Sequence, residues 1–301
     1  MASRPIQIIL ALTTLLAGLL FTRAPLMMAS EAPKSPWADG PMKLIATPLY
    51  ETKKTDMYTT GASHMCMLHN CIIRGYNSIW HQAPHVADAD KPDFINYSLT
   101  WHKFVQSHHD DEEANLFPKV EDQLADKQVW EESHKEHESF LDGLAEFKTY
   151  LTTLPAPTDF SGSELRRIME SFRDPFETHF HNEIKTIAEM ADHPRAPAPG
   201  TPEETAAGLT FKTWGKTTVS KAGMLDVVPF FLLNLDRTVE EGLWANWPPM
   251  PAPIKWGMVN LAGSWHSGWW KFSSCDANQR PKELYARGTE PAEAKSAEPE
   301  L

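Results

Sequence analysis

Apolar residues recur every three or four positions through four long stretches of the chain, which is the period of an amphipathic helix. In the first stretch, Leu68, Ile72 and Ile79 fall on one helical face, and no proline interrupts the pattern. Because proline-containing loops separate the stretches, the pattern predicts an all-α fold, an antiparallel four-helix bundle over residues 53–192. The four predicted helices cover residues 53–80, 93–116, 121–154 and 163–190.

Individual residues refine the predicted helix ends. Pro118 should end or kink the second helix, and Pro175 should kink the fourth, since proline removes a backbone donor and crowds the preceding turn. Ser163 is the expected cap of the fourth helix, because its hydroxyl can accept from a free backbone N–H. The boundaries between the four helices therefore rest on local chemistry as well as on periodicity.

The amino-acid composition of the chain changes after a proline- and alanine-rich linker at residues 194–202. Residues 203–221 predict one more helix, and the segment that follows is rich in phenylalanine and tryptophan. Its Trp247–Pro253 stretch contains four prolines and is expected to be non-helical. We predict that residues 203–285 form an irregular, aromatic-rich extension that packs on the bundle and buries tryptophan area. A membrane-interface or sugar-binding role for these tryptophans is the alternative.

The two ends of the chain differ from its middle. Arg4 precedes a mostly apolar run at residues 6–21, which predicts a signal peptide or an uncleaved signal anchor within residues 1–29. Residues 30–52 are expected to be a proline-rich linker, and residues 286–301 a disordered acidic tail. This layout predicts the secretory pathway, with the protein either secreted or membrane-anchored through the apolar run.

Charge and cysteine content exclude several classes of function. The chain has 28 basic and 40 acidic residues, a net charge of about −12, which argues against a nucleic-acid partner. Its three cysteines, Cys66, Cys71 and Cys275, do not form a disulfide framework and are expected to be buried thiols. No phosphate-binding glycine loop, zinc-type cysteine pair or hydrolase triad stands out in the sequence.

Histidine is the unusual residue, since eleven of the thirteen histidines fall between His64 and His181. On the second predicted helix, His108 and Glu112 are four residues apart and share a face, so both can bind one ion. His109 and Glu113 have the same spacing but lie about 100° around the helix, so we expect only one pair to face inward. Leu116 extends the stripe of His108 and favours that pair, although Phe117 extends the other stripe. The bland alternative is a solvated acidic helix face.

A second His-x-x-x-Glu pair, His179 and Glu183, occurs on the fourth predicted helix. The first and third helices add His69 and His137. Each histidine alone would more often be an ordinary core residue. As a set spread over four helices, they predict a metal site inside the bundle.

This ordered set resembles the hemerythrin-like (HHE cation-binding) domain over about residues 55–190. The resemblance implies a four-helix bundle whose core holds non-haem iron, in the form of two ions bound by histidines and bridged by two carboxylates. The aromatic C-terminal region is also similar to extensions on fungal members of this group. The matching stretches are His69-Asn70 followed by Arg74, His108 with Glu112-Glu113 and Leu116-Phe117-Pro118, Glu136-His137, and His179 with Glu183. Carried over by position, the metal ligands are His69, His108, Glu112, His137, His179 and Glu183.

The third helix departs from the pattern of oxygen-carrying hemerythrins, which bring a second histidine from it at a spacing of four. Here Ser133 and Leu141 occupy the positions four before and four after His137. Four histidines remain unless His134, about 60° away around the helix, joins them. This difference argues against a reversible oxygen carrier. An open coordination position suits oxygen activation, peroxide chemistry or a small anion.

The sequence therefore predicts a non-haem di-iron protein that binds or activates O2 or peroxide. The leading hypothesis is an oxidative tailoring enzyme, a di-iron oxidoreductase, acting on a small apolar metabolite. The alternatives are an iron or O2 binding, storage or sensing protein without turnover, and an accessory protein with a vestigial site. No nucleic acid is expected as a partner, and the substrate is not identified by the residues.

Overall fold

The fold is taken from a computed structural model that describes residues 38–286. Within these residues the chain is helical and contains no β-strand beyond an isolated bridge between Cys275 and Pro281. The helices are α1 Pro48–Thr52, α2 Met57–Gln82, α3 Lys91–Asp111, α4 Phe117–Leu124, α5 Glu131–Thr153, α6 Gly162–Glu189, α7 Pro202–Ala222, α8 Val227–Asn234 and α9 Ala252–Gly257. The prediction of an all-α bundle is confirmed, and its four long helices are α2, α3, α5 and α6.

Capping side chains mark where the bundle helices begin. Asp56 accepts hydrogen bonds from the backbone N–H groups of Tyr58 and Thr59, at 3.0 and 2.9 Å, and so caps α2. The cap of α6 is Ser161, whose hydroxyl accepts from the N–H of Glu164 at 3.3 Å. The prediction that Ser163 caps this helix is therefore wrong by two residues.

The α3 helix ends at Asp111, before the end or kink that was predicted at Pro118. A single π-helical turn, Glu112–Leu116, follows α3 directly and leads into α4. Its closing bond runs from the N–H of Phe117 to the carbonyl of Glu112, five residues back. After α4, Ala125 adopts a left-handed conformation with φ of 45°, which breaks the helix. As a result α5 starts at Glu131, ten residues later than the periodicity suggested.

Neighbouring bundle helices run antiparallel, as contacts at different heights show. His69 in α2 contacts His108 late in α3, whereas Gly75, later in α2, faces Trp101, earlier in α3. The ring contacts between α5 and α6 show the same reversal. The core between the helices is aromatic and has Trp101 at its centre. The rings around it are Tyr76, Phe147, Phe172 and Phe176.

The C-terminal helices pack against the bundle. Phe230 of α8 lies so close to α2 that a Cβ at Gly75 would be 2.7 Å from its Cζ and 2.6 Å from Cδ1 of Trp101. Only glycine fits between these two rings. Arg74, one residue earlier and buried, pairs with Asp236 of the extension at 3.2 Å. Apolar packing and a buried ion pair thus hold the extension to α2.

The predicted localisation in the secretory pathway or at a membrane is corrected by the structure. Within residues 38–286, no helix is both long enough and apolar enough to cross a lipid bilayer. The apolar run at residues 6–21, and the signal peptide or anchor predicted within residues 1–29, lie outside the described residues. The predicted acidic tail also lies outside them, except for Ala286.

The three cysteines are free and buried in the described part of the chain, as predicted. Burial raises the pKa of the Cys275 thiol to about 12, which keeps that thiol protonated and unreactive at neutral pH. The thiols of Cys66 and Cys71 also have pKa values well above the ordinary range, again chiefly because of burial. These side chains pack as small apolar groups.

Candidate metal centre

The six sequence-predicted ligands meet at one level inside the bundle, and each of the four long helices or its direct extension contributes. His69 comes from α2, His108 from the end of α3, and His137 from α5. Glu112 begins the π-helical turn that follows α3. The side chains of four of the residues are fully buried and those of the other two are nearly so, which removes them from competing water. The six are His69, His108, Glu112, His137, His179 and Glu183.

Two imidazoles and two carboxylates meet in the first half of the cluster. Nε2 of His69 lies 3.1 Å from Nε2 of His108. Oε1 of Glu112 is 3.0 Å from Nε2 of His108, and Oε2 of Glu183 is 3.2 Å from Nε2 of His69. Nitrogen atoms about 3 Å apart are close enough for both to bind one metal ion through bonds of about 2.1 Å.

The second half of the cluster repeats this arrangement on α5 and α6. Nε2 of His137 lies 3.2 Å from Nε2 of His179. Oε2 of Glu183 is 3.8 Å from Nε2 of His179, and Oε2 of Glu112 is 3.9 Å from Nε2 of His137. Each carboxylate therefore lies between an imidazole of one half and an imidazole of the other.

Burial sets the protonation of this cluster. It lowers the pKa of His108 to about 4 and that of His179 to about 3, and it also lowers the pKa of His69 and of His137. These imidazoles are neutral at pH 7, which is the form that binds metals. Burial has the opposite effect on the carboxyls, since it raises the pKa of Glu183 to about 7 and that of Glu112 well above its ordinary range.

The carboxyl oxygens of Glu112 and Glu183 indicate whether a cation fits the cluster. All four carboxyl oxygens of Glu112 and Glu183 are buried, and within residues 38–286 none of them makes a hydrogen bond, although two lie 3.0 and 3.2 Å from imidazole nitrogens. A buried carboxyl without a partner is costly, and a bound cation would compensate it and invert its pKa shift. Imidazole and carboxylate ligands suit iron among the common metals. The donor set fits a metal centre.

Outer hydrogen bonds orient several of these rings. Nδ1 of His137 donates to Oε1 of Glu113 at 2.7 Å, and Nδ1 of His179 lies 3.3 Å from Oε2 of Glu136. Nδ1 of His69 is 3.4 Å from the carbonyl oxygen of Phe180. In each case the contact at Nδ1 points Nε2 of the ring toward the cluster, as in histidine ligands of known metal sites.

The prediction that His109 faces outward is wrong. Its side chain is 3 % exposed, and its ring lies 4.5 Å from that of His137 and 5.5 Å from that of His179, between centroids. A bundle helix buries a stripe at least 100° wide, so two adjacent residues can occupy the two edges of one stripe. The apolar continuation of the His109 stripe at Phe117, which is fully buried, was the signal for this second inward position.

Glu113 does face outward, as expected, with 41 % of its side chain exposed. His134, the other candidate for a further ligand, is 42 % exposed and its Nδ1 lies 2.9 Å from Oε1 of Glu113. It does not reach the cluster. His64 of α2 packs against Trp244 and Trp247 of the extension.

The extension also covers the outer side of α3. Trp214 of α7 places its ring 5.5 Å from that of His108, between centroids, and its Nε1–H donates to the carbonyl of Asp111 at 3.3 Å. Lys221 of the same helix pairs with the carboxylate of Asp111 at 3.2 Å. The α7 helix therefore separates this part of the cluster from solvent.

A cavity of about 220 Å³ lies on another face of α2, between residues 44–46, α2 and residues 234–240 of the extension. Its polar lining includes Asn70, Arg74 and Asp236, and none of the six predicted ligands contributes to its wall. It is therefore not a pocket that opens onto the cluster.

Comparisons with known proteins agree with this geometry. The profile of the "Hemerythrin HHE cation binding domain" matches residues 69–191. The chain is also similar to the "Dimeric xanthone biosynthesis cluster protein R11" of Cryptosporiopsis sp. (strain 8999). The two are 30 % identical over 262 residues, which cover 84 % of this chain and 94 % of the relative. No solved structure matches the chain.

Proposed function

This chain belongs to the family of hemerythrin HHE cation-binding proteins, and from that membership we propose that it is a non-haem di-iron oxidoreductase. The observation that carries the proposal is the position of Glu112 and Glu183. Each carboxylate lies within 4 Å of an imidazole in both halves of the cluster. Two carboxylates placed in this way can bridge two adjacent cations and neutralise their charge in an apolar core.

The protein's own residues prepare the site. Neutral imidazoles supply nitrogen ligands without a competing proton, and the carboxylates of Glu113 and Glu136 fix the orientation of two rings. The rings of Phe140 and Phe176 pack beside the cluster and exclude water. When bound, an iron pair would supply the redox chemistry needed to use O2 or peroxide.

We further propose that the substrate is a small, largely apolar aromatic metabolite. The similar fungal protein is named for a dimeric xanthone biosynthesis cluster, and xanthones are fused aromatic rings. An oxidative tailoring step on such a compound fits a redox-active metal centre beside an aromatic-rich extension. The similarity covers 84 % of this chain, which is more than the bundle alone, and this supports a shared type of reaction.

A binding protein without turnover is the second candidate function, and the depth of the cluster favours it. His69, Glu112, His179 and Glu183 are fully buried, so only small species such as O2, peroxide or a metal ion reach them without movement of the chain. In that case the protein would store iron or sense oxygen. The two functions share the same metal site and differ in whether an organic molecule is oxidised.

Iron analysis is the first experiment. The metal-free protein is reconstituted anaerobically with ferrous iron, and bound iron is counted after desalting, with Glu112→Ala as the matched control. We expect two iron ions per chain in the wild type. A wild-type protein with well under one iron per chain would refute both functions.

Oxygen consumption then separates the two functions. The ferrous protein is mixed with O2 in the presence of xanthone-class aromatic compounds, while an electrode records oxygen and mass spectrometry follows the organic molecule. Oxygen uptake in a fixed ratio to substrate loss supports the oxidoreductase. A single oxidation of the iron, with every candidate compound left unchanged, supports the binding protein.

A further inference from the structure

We propose that His109 is a fifth imidazole ligand of this centre and takes the place of the second histidine that α5 lacks. The inference rests on the proposed di-iron function and deepens it by assigning a residue to the site. It concerns borderline divalent metals such as ferrous iron, for which imidazole is a suitable ligand.

The first argument is the unsatisfied polarity of the His109 ring. The side chain is buried, and neither Nδ1 nor Nε2 has a hydrogen-bond partner within residues 38–286. An imidazole always has at least one N–H donor and, when neutral, one acceptor, so burying both without partners is costly. A ring kept only for packing at this position would be better replaced by phenylalanine.

The second argument is the position of the ring. A nitrogen of His109, one of His137 and one of His179 all lie within 4.8 Å of one another. His69, His108 and Glu112 form a separate group with the same property. One nitrogen of His109 thus lies beside the imidazoles of the half built by α5 and α6.

The surroundings of His109 exclude an ordinary structural role for its nitrogen atoms. On its other sides the ring meets Phe140, Phe176 and Phe180, with centroid distances of 5.0, 6.3 and 6.4 Å. Phenylalanine rings offer no conventional hydrogen-bond partner. The nitrogen atoms are therefore placed among imidazoles and apolar rings, and a shared cation satisfies all three imidazoles at once.

The alternative fifth histidine, His134, is already engaged elsewhere. Its ring is 42 % exposed and contacts the carboxylate of Glu113, which also accepts from His137. His134 therefore supports a ligand from outside the cluster. With His109 as a ligand the centre becomes asymmetric, with three imidazoles in one half and His69 and His108 in the other.

Two matched variants test the assignment, His109→Phe and His134→Phe. The metal-free forms are compared by thermal unfolding, then titrated anaerobically with ferrous iron and examined by Mössbauer spectroscopy. We expect metal-free His109→Phe to be at least as stable as the wild type, because phenylalanine suits the apolar surroundings. Its iron affinity should fall about a hundredfold or more at one of the two sites, with an altered spectrum for that iron. His134→Phe should keep both irons and a nearly unchanged spectrum.

A second measurement tests the assignment even if the His109→Phe variant does not fold. In the cobalt(II)-substituted wild type, each bound imidazole with an N–H gives one exchangeable proton NMR signal shifted far outside the normal range. Five such signals, with one lost in His109→Gln, support the assignment. Four signals, or a His109→Phe protein with wild-type iron affinity and spectrum, overturn it while leaving the di-iron proposal intact. A wild type that binds no metal overturns both.

Discussion

The carboxylate of Glu113 lies 2.7 Å from Nδ1 of His137 and 2.9 Å from Nδ1 of His134, so it links two histidines of α5 to the end of α3. Glu113 itself is not at the cluster, since Oε1 is engaged by these two rings and much of the side chain is exposed. Its neighbour Glu112 is fully buried between the two halves of the cluster. The two adjacent glutamates therefore have different roles, which substitution can separate.

Replacing Glu113 by alanine should weaken metal binding without removing it. The loss of the carboxylate frees the ring of His137 to rotate, and outer-shell changes of this kind cost about 10- to 100-fold in affinity. Anaerobic titration with ferrous iron should still reach the wild-type stoichiometry at saturation. Loss of half or more of the bound iron at saturation would contradict an orienting role for Glu113.

Replacing Glu112 by leucine should abolish iron binding and stabilise the metal-free protein. The change removes two buried oxygen atoms that make no hydrogen bond within the described residues, and leucine has a similar size. We expect a gain of about 1–3 kcal/mol in the free energy of unfolding of the metal-free form. Urea denaturation of desalted, chelator-treated protein measures this gain. A less stable variant would show that the carboxyl group of Glu112 does not destabilise the metal-free protein.

His102 provides a pH-dependent contribution to stability away from the metal site. Burial, followed by the charge of Lys148, lowers its pKa from 6.5 to about 4, so the unfolded chain binds a proton that the folded chain does not. Stability is therefore lost as the pH falls from about 6.5 toward 4. The ring stacks on Phe147 within the core.

Comparing the wild type with His102→Gln isolates this effect. In metal-free protein, we expect the wild type to lose about 1 kcal/mol more than the variant between pH 7.5 and pH 5, after allowance for partial solvent screening. Chemical denaturation at the two pH values gives the difference. An equal loss in both proteins would mean that His102 titrates normally in the fold.

Trp214 should protect the His108 side of the cluster. Its substitution by alanine removes a large, buried ring beside His108 and should cost about 3–5 kcal/mol of stability. Water then gains access, so a chelator should extract iron faster from the variant. The matched control is Trp256→Ala, since Trp256 is 59 % exposed and its loss should change stability by less than about 0.5 kcal/mol. Equal rates of iron extraction from the wild type and both variants would show that Trp214 does not protect the cluster from the chelator.

The positions of the four long helices follow from the sequence because their inward faces are aromatic and aliphatic over many turns. The errors in the prediction lie at the ends of the helices, because local backbone conformation and capping determine where a helix begins and ends. The π-helical turn at Glu112–Leu116 leads directly into α4, which contains Pro118. The left-handed conformation of Ala125 then ends α4, so the predicted start of α5 was too early. Neither feature has a periodic signal.

The candidate site was accessible from the sequence because four helices each bear a histidine at a matching level of the bundle. His109 was missed for a geometric reason: the inward stripe was taken as one residue wide, and adjacent residues were treated as alternatives. Trp214 was missed because contacts between α7 and α3 join residues about 100 positions apart, which no local pattern reports. The sequence alone identifies the candidate ligand residues better than it identifies the residues that pack around them.

The buried ion pair between Arg74 and Asp236 bears on how modular this protein is. The family profile ends at residue 191, but the bundle it describes has a guanidinium with 3 % exposure that pairs with Asp39 at 3.4 Å and, beyond that boundary, with Asp236 at 3.2 Å. Cutting the chain there would remove the closer and more deeply buried of the two carboxylates and expose the rings around Gly75 to water. The hemerythrin-like bundle of this protein is thus not a transplantable unit, and its extension is part of the smallest piece expected to fold.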